Sequence, residues 1–80
     1  MYIKKEDHHY LMGLFNSLDD VRQQRFINQL IKVGSEKVGA DITKIKIFDD
    51  SIYNVQAIDP SEMITRTMIK KVYRAVKEGK

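Results

Sequence analysis

The sequence predicts a small single α+β domain spanning residues 1–80, in the order α-α-β-β-α, with three helices packed on a β-hairpin. Three observations predict it. Apolar residues recur at helical spacing in the first 38 positions. The period changes to strict alternation between residues 43 and 57. A strong helix-start signature, Asp59-Pro60-Ser61-Glu62, then precedes a second helical pattern.

The first helix is expected from Lys5 to about Asn16. Leu11, Leu14, Phe15 and Leu18 recur every three or four residues, with Gly13 inside the pattern. The second is expected to open on Ser17 as its N-cap, with Asp19 and Asp20 placing negative charge in its first turn. Phe26, Ile27, Leu30, Ile31 and Val33 form its apolar face. Arg22, Arg25, Gln29 and Lys32 lie opposite. Gly34 is expected to end or kink this helix, and residues 35–38 to add a further turn before Gly39.

Residues 43–48 and 52–57 alternate around Asp49-Asp50-Ser51, which is turn chemistry. One hairpin face would hold Ile45, Ile47, Tyr53, Val55 and Ala57, and the other Lys44, Lys46, Asn54 and Gln56. An isolated hairpin is marginal in water, so helices must cover its apolar side. Its edges call for a partner, either Tyr2-Ile3 as a short third strand or a second copy of the chain. The last helix is expected from Asp59-Pro60 to about Lys77. Ile64, Met68, Ile69, Val72, Ala75 and Val76 lie on one arc, and Arg66, Lys70, Arg74 and Lys77 on the other.

Composition narrows function by exclusion. There is no cysteine, which removes disulfides and thiolate metal sites. The first residues are charged rather than apolar, and no apolar run approaches a membrane span, so a cytoplasmic protein without membrane contact is expected. Ser17, Ser35, Ser51 and Ser61 sit where caps and turns favour serine, with no histidine nearby to activate them. The adjacent imidazoles of His8 and His9 diverge by about 100° on a helix, and Asp19-Asp20 and Asp49-Asp50 occupy cap and turn positions. No P-loop spacing is present. The expectation is a protein that is not an enzyme and needs no metal or cofactor.

Charge points to partners. Residues 1–60 carry eight Lys/Arg against nine Asp/Glu, whereas residues 61–80 carry six against two. The positive excess therefore lies on the last helix, and a cationic stripe along a helix is a footprint of nucleic-acid binding. Arg66, Lys70, Lys71, Arg74 and Lys77, with Lys44 and Lys46 of the hairpin, are the candidate phosphate-contacting residues. The competing reading of the same stripe is a solvated helix face favoured by the helix dipole. No helix-turn-helix spacing is present, and the element order departs from a winged helix. Phe48 and Ile52, apolar beside the hairpin turn, are the candidate protein-contacting residues. The sequence thus reads as a small regulatory protein of bacterial or phage type that binds nucleic acid or a nucleic-acid-handling complex. The alternative is a protein-binding inhibitor or adaptor of a host complex. Open strand edges and a thin core suggest a homodimer for either.

Overall fold

A computed structural model describes residues 1–48 and 59–79 of the chain. Strand β1 (Tyr2–Lys4) leads directly into helix α1 (Lys5–Asn16), followed by α2 (Asp20–Val38) and strand β2 (Lys46–Phe48). A 3-10 turn (Pro60–Glu62), strand β3 (Met63–Ile64) and helix α3 (Arg66–Lys77) complete the described order. The mixed helix and strand content expected from the sequence is present. Its arrangement differs.

The sheet runs β2-β1-β3 with both pairings parallel. Tyr2-Ile3 does supply a strand, and it is the central one. Ile3 pairs with Ile47 on one side and Ile64 on the other. Parallel neighbours need a crossover connection, and the α1–α2 helical pair provides it between β1 and β2. Of the expected hairpin, the first strand forms at Lys46–Phe48 and pairs with β1. The second, residues 52–57, lies outside the described residues.

The helices build the core over one face of this sheet. Ile3 and Ile64 from the strands, Leu11 from α1, Phe26 and Leu30 from α2, and Ile69, Val72 and Val76 from α3 are all buried. Full burial of such a side chain is worth about 1.5–3 kcal/mol, so each of these eight positions is a substantial contribution in a short chain. Ile64 belongs to this core from a strand, not from the helix to which its spacing assigned it.

Helix ends fix how the three helices meet. The N-cap of α2 is Asp19, whose carboxylate accepts from the Arg22 backbone N–H at 2.9 Å. That bond, and next the Arg22 guanidinium, hold the Asp19 carboxyl below the usual range. Ser17, expected as this cap, instead closes α1: its hydroxyl donates to the Leu14 carbonyl at 2.6 Å. A serine hydroxyl has one proton, so the Tyr73 hydroxyl is the donor in its 3.0 Å bond to Ser17 Oγ. Gln23 Nε2 donates to the Phe15 carbonyl at 3.0 Å, satisfying another end group of α1.

Helix α2 does not stop at Gly34. It continues to Val38 and ends on Gly39, whose φ of 71° is the left-handed conformation that glycine adopts without penalty. Helix α3 begins at Arg66 rather than at Pro60. Its cap is Thr65, whose hydroxyl accepts from the Met68 N–H at 3.3 Å. Asp59 caps the preceding 3-10 turn, and the Ser61 N–H, 2.9 Å away, holds its carboxyl below the usual range.

Candidate functional site

Helix α3 lies between the other two. It runs parallel to α1: Arg66 Nε donates to Asp7 Oδ1 at 3.1 Å near the helix starts, and Tyr73 meets Ser17 near the ends. It runs antiparallel to α2, with Tyr73 edge-on to Phe26 at 5.9 Å and Lys37 Nζ donating to the Met63 carbonyl at 2.9 Å. Buried Ile69, Val72 and Val76 face the core. At about 100° per residue, Arg66, Lys77, Lys70 and Arg74 fall in an arc of about 80° on the exposed side.

That arc forms one wall of an open groove of about 740 Å³ between α1 and α3. Lys70, Arg74, Lys77 and Glu78 line it together with Tyr10, Leu14 and Tyr73. The two rings are covered by cations. The Arg66 guanidinium sits 4.7 Å from the Tyr10 centroid, Lys70 Nζ lies 6.0 Å from the same ring, and Lys77 Nζ lies 5.8 Å from Tyr73. Arg66 is the most constrained of the four stripe residues, because it is both stacked and paired with Asp7. Among the described residues, Arg74 has neither an ion pair nor a ring contact.

The remaining candidates are distributed elsewhere. Lys71 is exposed beside the stripe, outside its arc. Lys44 and Lys46 are exposed on the β2 side and do not line the groove. On α2, Arg22 is committed to Asp19. Arg25 and Lys32 instead line a second groove of about 320 Å³ against Val76, on the other flank of α3. Phe48 ends β2, and Ile52 lies outside the described residues.

An apolar groove of about 310 Å³ opens elsewhere, lined by Met12, Ile27, Ile31, Ile45 and Ile47 with His8 at its margin. Ile47, expected to be covered, is 53 % exposed, on a strand whose one partner among the described residues is β1. Among the described residues, no three of His, Cys, Asp and Glu are grouped to hold a metal ion. No described helix is long and apolar enough to cross a membrane.

Sequence reasoning missed the two tyrosines. Tyr73 carried a signal, since it stands three residues after Lys70 and four before Lys77 on the same helix. Tyr10 carried none, because only the fold brings α1 beside α3. No family model, curated protein or solved structure matches the chain.

Proposed function

We propose that this chain is a non-catalytic binding protein of regulatory type, whose α1–α3 groove holds the phosphates of a nucleic acid. The observation that carries the reading is the groove lining: Lys70, Arg74 and Lys77 along one wall, interleaved with Tyr10 and Tyr73. Cations aligned on a rigid helix displace condensed counterions from a polyanion, which gives affinity without sequence readout. Arg25 and Lys32, in the separate groove on the other flank of α3, add further positive charge to the molecule. The neutralised Arg66 contributes less, as a clamp between α1 and α3 rather than a phosphate ligand.

The test is fluorescence anisotropy of a labelled oligonucleotide across a salt series. Lys70→Glu, Arg74→Glu and Lys77→Glu should each weaken binding by a similar factor whatever the nucleic-acid sequence. Each should also flatten the slope of log affinity against log salt by about one unit. A triple variant with native helical circular dichroism and undiminished binding would refute the assignment.

A second reading rests on a different observation, the half-exposed Ile47 beside an apolar groove, on a strand that is at the sheet edge among the described residues. There the chain docks a protein, as an inhibitor or adaptor, or pairs with a second copy of itself along β2. A complex of that kind survives about 0.5 M salt, where phosphate contacts are largely lost.

A further inference from the structure

We infer that the nucleic acid taken by the α1–α3 groove is single-stranded, with Tyr10 and Tyr73 stacking on its bases while Lys70 and Lys77 move from those rings to its phosphates. The inference rests on the phosphate-binding reading above and deepens it. The three cations that cover the two rings are not equivalent. Arg66 is fixed at 4.7 Å from Tyr10 with its Nε on Asp7. Lys70 and Lys77, at 6.0 and 5.8 Å, sit at the outer limit of about 6 Å for a cation–π contact. A lysine held that loosely on a flexible four-carbon stem exchanges its ring for a phosphate by rotamer change alone. The ring surface it leaves is then open to a base, which at Tyr10 enters beside the Arg66 guanidinium that stays in place.

The rings are also held in place beforehand. The Tyr73 hydroxyl bonds Ser17 Oγ at 3.0 Å and its ring meets Phe26 edge-on, while Tyr10 is pinned by the Arg66 clamp. Binding therefore does not have to immobilise them, which preserves the stacking free energy. A duplex keeps its bases stacked on one another and presents only phosphates to such a trough. A single strand offers both phosphates and free base faces, and stacking on an aromatic ring tolerates any base.

The probes are fluorescein-labelled oligothymidine of about 12 nucleotides and a mixed-sequence duplex of about the same length, titrated by anisotropy at about 0.1 M salt. The chain should bind oligothymidine more tightly than duplex, and its tyrosine emission should be quenched only by the single strand. Tyr10→Leu should weaken single-strand binding by at least about fivefold and change duplex binding by less than about twofold. Should Tyr10→Leu fail to fold, the strand preference and the quench in the unaltered chain still decide the matter. Equal affinity for both probes with unchanged tyrosine emission overturns the inference and leaves the phosphate reading standing. Binding of neither probe removes the phosphate reading, and this inference with it.

Discussion

Gly34 and Gly13 both lie within continuous helices, and their surroundings give them opposite roles. Gly34 is buried near the C-terminal end of α2, where a Cβ would meet Ile42 Cδ1 at 2.9 Å, with Ile64 Cδ1 and Met1 Cε each at 3.4 Å. The glycine lets β3 and the N-terminus pack directly against the α2 backbone. Gly13 faces solvent on α1, and a Cβ there would meet nothing within 4 Å. Replacing glycine by alanine in a helix interior ordinarily gains about 1 kcal/mol. Gly13→Ala should show that gain as a higher urea midpoint at unchanged m-value. Gly34→Ala should gain nothing or lose stability, because Ile42 must shift and Ile64 is already packed in the core. An equal gain at both sites would mean that the approach at Gly34 is looser than these distances.

At the scale of elements, the start of α3 shows how a local signal is overridden. Asp59-Pro60-Ser61-Glu62 has the chemistry of a helix start, and it does start a turn, but the chain then straightens so that Ile64 can pair with Ile3. The helix restarts only after Thr65. Thr65→Ala should therefore cost about 1 kcal/mol in denaturant unfolding through loss of the cap. Asp59→Ala, which removes only the bond from the Ser61 N–H, should cost less. The reverse order would place the helix start back at Pro60. The same contrast explains what the sequence made legible. The bounds of α1 and the cationic arc of α3 follow from periodicity, which is local, whereas Gly34 suggested a break in α2 that does not occur. Strands of two and three residues, such as Met63–Ile64 and Tyr2–Lys4, have no period to read. Their partners lie far away in the chain, so the parallel sheet was not legible. Half of the groove was hidden for the same reason: Lys70, Arg74 and Lys77 announce themselves by spacing, while Tyr10 reaches them only through tertiary packing.

Across the whole molecule, the fold concentrates charge where it is least comfortable. Residues 61–80 hold the positive excess, and α3 lies between one groove containing Lys70, Arg74 and Lys77 and another containing Arg25 and Lys32. Along α3, Lys70 stands four residues after Arg66 and four before Arg74, making two like-charge pairs one turn apart. Such pairs each destabilise a helix by about 0.2–0.5 kcal/mol, whereas opposite charges at that spacing stabilise it by a similar amount. Lys70→Glu converts the pair with Arg74, while the pair with Arg66 is already weakened by Asp7. The gain, partly offset by loss of the long contact to the Tyr10 ring, is about 0.5 kcal/mol, or roughly 3 °C in Tm for a domain of this size. The effect should be largest near 0.02 M salt and shrink by 0.5 M as screening grows. The same substitution should weaken nucleic-acid binding, because it removes a cation from the groove wall. Stability rising while binding falls is the signature of a surface kept cationic at the expense of the fold. Thermal scans of Lys70→Glu at the two salt concentrations, set beside its anisotropy titration, make the comparison on one protein. A Tm that falls at low salt would show that repulsion along α3 is already relieved within the chain, and the case for a polyanionic ligand would lose its energetic support.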